Sequence, residues 1–137
     1  MAVYTKLNKE NIDEILANYS IGQLKEFKGI EDGIENTNYF LLVGNKKYIL
    51  TIYEKRVKEK DLPFFSDLMT GLDKENFKCP VPIKNNNNET ISGYKNKSLM
   101  IVSFLEGKAK KILSPENCKA LGQEVARMHL ITKNFKI

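Results

Sequence analysis

Residues 29–56 read GIEDGIENTNYFLLVGNKKYILTIYEKR. An apolar run from Tyr39 to Val43 meets a second from Tyr48 to Tyr53 across Gly44-Asn45, a spacing that predicts two antiparallel strands joined by a tight turn. The loop ahead of them carries Gly29, Gly33, Asn36, Thr37 and Asn38, small and amide side chains among which backbone N–H groups can turn outward. Such a loop can cradle phosphate oxygens. The same residues also mark ordinary turns, and a glycine loop by itself is a turn more often than a phosphate site.

The rest of the chain supplies the context. At 137 residues and 15.7 kDa it is long enough for one domain with a real core, and its 42% hydrophobic and 28% charged content is that of a globular protein. No apolar run approaches the roughly 20 residues of a membrane span, and Lys6, Asn8, Lys9 and Glu10 interrupt any secretory signal, so a cytoplasmic location is expected. Cys79 and Cys118 stand far apart with no CxxC or Cys/His grouping, which predicts reduced thiols and no metal site. The net charge of +5 comes from scattered lysines. Without an arginine-rich stripe interleaved with aromatics, that charge does not argue for nucleic acid.

Before the loop, Val3 and Tyr4 suggest a short edge strand over residues 1–6. Ile12, Ile15, Leu16 and Tyr19 fall at helical spacing behind Asn8 or Asn11 as cap, and residues 21–30 read as a strand. After the hairpin, Asp61 can cap a helix with Pro63 in its first turn and Leu62, Phe65, Leu68, Met69 and Leu72 as its buried stripe. Cys79-Pro-Val-Pro-Ile83 must run extended. Asn85 to Asn88 reads as a polar tip. Residues 90–94 and 98–104 form a second hairpin around Lys95-Asn96-Lys97, its second strand so continuously apolar that both faces are expected to be buried. Ser114 then caps a last helix with Pro115 at its first position and a stripe of Cys118, Leu121, Val125, Met128 and Thr132. About five antiparallel strands with a helix crossing them, plus an N-terminal and a C-terminal helix, make an α+β fold.

The stretches GIENTNYFLL, YILTIYEKR, DLPFFSDLM, FKCPVPI, IVSFLEGK and LGQEVARMHL, in this order and spacing, resemble the N-terminal portion of homoserine kinases of the aminoglycoside phosphotransferase and choline kinase superfamily. The resemblance implies a kinase-like ATP-binding lobe with hinge over residues 1–107, and a linker and helix over 108–137 leading to a catalytic lobe. Its implied ligands are ATP with Mg2+, and its implied acceptor is the hydroxyl of L-homoserine, in threonine biosynthesis. The loop from Gly33 through Asn36, Thr37 and Asn38 would cover the phosphates, mainly through backbone amides. Ser103 and Leu105 would present hinge backbone groups to adenine. Thr51 stands where protein kinases carry the strand lysine that holds phosphates, which leaves Lys47, Lys55 and Arg56 as candidate cations.

The aspartate base of an HGD-type loop, its downstream asparagine and the magnesium-binding aspartate belong to the superfamily's C-terminal lobe, and none occurs before Ile137. His129 takes no chemical role, and Glu54, Glu59 and Asp61 offer no substitute pair. These residues should therefore bind better than they catalyse, with no catalytic residue among them. Two other readings remain open: a stand-alone nucleotide-binding or interaction module, and the lobe of a related choline or aminoglycoside kinase. Leu130 and Ile131 are expected on an exposed patch that favours self-association.

Overall fold

The two hairpins form as their turn chemistry predicts. A computed structural model describes residues 3–133 and 135. In chain order the elements are α1 (Lys9–Leu16), β1 (Leu24–Ile30), β2 (Thr37–Val43), β3 (Lys46–Ile52), a 3-10 turn at Glu59–Asp61, α2 (Leu62–Lys74), β4 (Ser92–Tyr94), β5 (Lys97–Ser103) and α3 (Pro115–Thr132). The strands make one antiparallel sheet in the order β1-β2-β3-β5-β4. Gly44 turns the β2–β3 hairpin at φ +58°, and Lys95 and Asn96 turn β4 into β5 with φ of 45° and 62°. Positive φ at both central residues matches the right-handed twist of the paired strands.

Strict alternation along β2 builds the core. Thr37, Tyr39, Leu41 and Val43 are buried while the residues between them are half-buried. The buried set packs with Tyr48, Leu50 and Ile52 of β3, Leu99 and Ile101 of β5, and Ile12, Ile15 and Leu16 of α1. α1 is set on this face by a capping box between Asn8 and Asn11. Leu99, Met100 and Ile101 are all fully buried, so β5 is covered on both faces as its apolar run predicts. Met100 lies outside the cluster that α1 covers, as do Leu62 and Leu72 of α2.

Several expectations are corrected. Val3 to Lys6 is not a strand: the amides of Tyr4 and Thr5 both go to the Thr37 hydroxyl, not to a neighbouring ladder, and residues 1 and 2 lie outside the described chain. β1 begins at Leu24 and β4 at Ser92, each later than expected, because residues 17–23 turn through Gly22 (φ +112°) and Thr90 is held by Ser66 of α2. Asp61 stands at the N-cap of α2 without a side-chain capping bond, the buried positions of the helix are Leu62, Ser66 and Leu72, and Phe65 is exposed. The polar turn expected at Asn85 to Asn88 is present and is also anchored, since Asn86 donates to the carbonyls of Ala17 and Asn18 at the end of α1 and accepts from Ser20. The extended segment at 79–83 pairs with β5 through Pro82 and Val102.

α3 starts at the Ser114 cap, again with a capping box. Its apolar stripe is not buried: none of its residues is, and Leu121 and Val125 are exposed. Arg127 fastens the helix to α2 by donating to the carbonyls of Glu75 and Asn76. Those carbonyls belong to the C-cap of α2 and the residue after it, where no following helical amide bonds them.

Candidate functional site

Register and alternation lay out the second face of the sheet in cross-strand rows. Asn38 pairs with Thr51 and Thr51 with Met100; Phe40 pairs with Ile49 and Ile49 with Val102. Leu42 pairs with Lys47, whose carbonyl accepts from the amide of Phe104 just past β5. From the Asn38 row to the Leu42 row is four residues, roughly 13 Å at strand rise. The first row carries the polar pair Asn38 and Thr51, the second is apolar, and past the third Phe104 meets Phe40 of the second row, edge to face at 5.6 Å. Phe40, Ile49, Val102 and Phe104 are half-buried, an apolar floor without a helix packed fully over it.

At the polar end, the Thr51 hydroxyl donates to Asn38 Oδ1 at 2.8 Å. The pair forms because both residues sit at the same level on adjacent strands and point to the same face. The loop of residues 31–36 begins beyond it. Gly33 adopts φ +110°, and residues 31–35 are exposed. Asn36 turns its side chain inward, where its Oδ1 accepts from the Glu54 amide at 3.2 Å. Thr37 has no exposed surface and its hydroxyl is fully engaged. It is therefore removed from the set that a ligand can reach.

At the opposite end, Ser103 spends its amide on the Val81 carbonyl and its hydroxyl on the Val81 amide. It lies opposite Tyr48, hence on the α1 side of the sheet. Leu105 is exposed, and its amide has no protein acceptor among the described residues. The structure thus joins Asn38 to Thr51 directly, sets Asn36 behind them, and places Ser103 and Leu105 a strand's length away.

The three candidate cations separate cleanly. Lys47 is at the hinge end, paired with Glu106 and lying over the Phe104 ring at 5.6 Å. Lys55 lines a cleft of about 270 Å3 with Tyr53, Val57 and Glu59. Arg56 alone of the three meets the loop, its guanidinium 3.5 Å from the Glu35 carboxylate. Among the described residues no group of three or more histidine, cysteine, aspartate or glutamate side chains could hold a metal ion.

One polar cluster escapes sequence reasoning. Glu54 follows β3 with its side chain only 11% exposed, and it accepts from Lys97, Thr5 and Thr37. Burial alone would raise its carboxyl pKa, but the hydrogen bonds from Lys97, Thr5 and Thr37 and the Lys97 charge prevail and hold it below the ordinary value. Thr5 and Lys97 are 92 residues apart in the chain. No local pattern links them.

The profile of the phosphotransferase enzyme family matches residues 26–136. The chain belongs to the phosphotransferase enzyme family. This member of the family is 42% identical over 135 residues to the homoserine kinase of Methylobacterium radiotolerans, covering 98% of the chain and 42% of that relative. It is 42% identical over 137 residues to the homoserine kinase of Parvibaculum lavamentivorans, covering 43% of it. The phosphotransferase chain therefore spans less than half the length of the curated relatives it matches. Among solved structures, the amicoumacin kinase hAmiN, in complex with AMP-PNP, Ca2+ and Ami, superposes with a TM-score of 0.77 at 17% identity over 96% of this chain and 42% of that one. The spectinomycin phosphotransferase APH(9)-Ia, in complex with ADP and spectinomycin, superposes with a TM-score of 0.70 at 15% identity, over 93% of this chain and 39% of that one. The kinase-like α+β lobe expected from the resemblance is confirmed as a fold.

Proposed function

We propose that this chain is the nucleotide-binding half of an ATP-dependent homoserine kinase, which transfers the γ-phosphoryl group to the hydroxyl of L-homoserine in threonine biosynthesis. Residues 1–107 form the nucleotide clamp, and residues 108–137 lead toward the catalytic part. The observation that carries the reading is the graded open face. It runs from the Asn38–Thr51 pair under an exposed glycine loop, across half-buried Ile49 and Val102, to the Leu105 amide, which has no acceptor among the described residues. An extended nucleoside triphosphate has this same order of polarity, with anionic phosphates at one end and a flat base with edge hydrogen bonds at the other.

Within this reading the amides around Gly33 meet the phosphates, and Arg56 supplies the cation that a strand lysine supplies elsewhere, exchanging Glu35 for a phosphate oxygen. Arg56 stands beside the loop, whereas Lys47 sits at the far end of the sheet. Mg2+ arrives on the phosphate oxygens of the nucleotide, since no cage for it exists among the described side chains. The acceptor assignment rests on the relatives named homoserine kinase. Within this reading the enzyme works in the cytoplasm. No helix among the described residues is long and apolar enough to cross a membrane.

Calorimetric titration of the folded chain with ATP and Mg2+ tests the clamp. Saturable binding is expected, without turnover, and both Asn38→Leu and Arg56→Ala should weaken it by about tenfold, the worth of one charge-assisted hydrogen bond. No heat of binding at millimolar ATP would sink the reading. The acceptor is tested in the longest product of the reading frame: ADP release with L-homoserine, and none with choline or an aminoglycoside, is the expected result.

A further inference from the structure

The loop of residues 31–36 is acidic, with Glu31, Asp32 and Glu35 in six positions, and residues 31–35 are exposed. Left free, such a segment would pay ordering entropy on meeting a ligand, and its carboxylates would repel a phosphate as readily as its amides attract one. It is not left free. The Tyr4 hydroxyl donates to the Ile34 carbonyl at 2.8 Å, and the Glu54 amide donates to Asn36 Oδ1. Thr37, at the loop's end, accepts from the amides of Tyr4 and Thr5 at 3.0 Å each and donates to Glu54 Oε1 at 2.8 Å. Thr5 donates to the same carboxylate oxygen at 2.6 Å, and Lys97 donates to Thr5 and to Glu54 Oε2.

Four separate pieces of chain therefore converge on one carboxylate: the N-terminal segment, the loop, the end of β3 and the start of β5. Thr37 and Lys97 fall on the α1 side of the sheet, opposite the face that carries Asn38 and Thr51. Their side chains cannot touch a ligand lying on that other face. A carboxylate mostly withdrawn from water and satisfied by three side chains is costly to assemble and specifies one geometry when complete.

We propose that Thr37, Glu54 and Lys97, with Tyr4 and Thr5, are positioning residues that lock the loop of residues 31–36 in its phosphate-receiving orientation before a nucleotide arrives. The inference rests on the nucleotide-binding reading of the open face for its purpose, but not for its geometry. Tyr4 and Thr5 lie outside the region matched by the family profile, which begins at residue 26.

The test uses three variants of the 137-residue chain. Thr37→Val removes the hydroxyl at nearly constant shape, Thr37→Ser restores it, and Tyr4→Phe removes only the bond to Ile34 from a side chain that is mostly exposed. Backbone order parameters from NMR relaxation are read for residues 31–36 and amide protection for the β3 core, alongside the ATP dissociation constant. Thr37→Val should lower the order of the loop and weaken ATP by about tenfold, with β3 protection kept. Tyr4→Phe should give smaller changes of the same sign, and Thr37→Ser should stay near the parent. If Thr37→Val fails to fold, Tyr4→Phe and Lys97→Met carry the comparison. Unchanged loop order in the folded variants overturns the brace. Lower loop order in the variants of a parent protein that binds no ATP would uphold the brace and overturn the nucleotide reading.

Discussion

Glu54 carries its charge in a site where water cannot reach most of it, so its contribution depends on protonation. Its folded pKa is depressed, which means its stabilising contribution is complete above the ordinary carboxylate pKa of about 4.3 and is lost as pH falls through the lower folded value. Urea unfolding midpoints should accordingly hold steady from neutral pH downward and then drop below about pH 4. Glu54→Gln should remove that part of the drop while lowering stability at pH 7 by about 1.5–3 kcal/mol, the range for a hydrogen bond to a charged group. An unaltered acid limb in the variant would mean that other carboxylates govern it. Thr51 shows the opposite case at the same scale. It can be located from sequence as the residue in place of the strand lysine, but its bond to Asn38 depends on pairing across two strands.

Among the elements, caps and turns were readable because their chemistry is local. Asn8 and Ser114 cap α1 and α3 through side chains three residues from their targets, within the reach of a short pattern. The Lys95-Asn96 turn was likewise expected, yet it puts a lysine at φ 45°, a conformation that asparagine and glycine tolerate far better. Lys95→Asn should raise the urea midpoint, by about 0.5 kcal/mol of stability; a fall would show that the Lys95 contact with the Tyr94 ring outweighs the strain. What the Asn85–Asn88 run touches is not legible for the converse reason. Composition marks it as polar and turn-forming, but whether such a turn waves free or clamps the end of α1 depends on what the fold sets beside it.

On the scale of the whole molecule, the sheet has one face sealed by α1 and another left partly open, and α3 carries a side that nothing among the described residues covers. Leu121 is 61% exposed and Leu130 73%, with Ile112 at 89% just ahead of the helix. Leu121 and Leu130 lie on opposite sides of the helix, and exposed apolar side chains of this size favour association. Gel filtration of the isolated chain should therefore show concentration-dependent self-association that Leu121→Glu with Leu130→Glu reduces. A monomer at every concentration would show that this surface is tolerated in water.

The amino-acid sequence alone determined the strand and helix types, the two hairpins, the caps and the family, because each of these is written in spacings of a few residues or in motifs met in order. Tertiary structure decided which side of the sheet is open, that Thr37 is sealed within it while Asn38 and Thr51 face out, and that Thr5, Glu54 and Lys97 meet. A one-residue step along a strand reverses the face, and partners up to 92 residues apart leave no shared local pattern. Only strand register, fixed by burial across the whole sheet, brings them together.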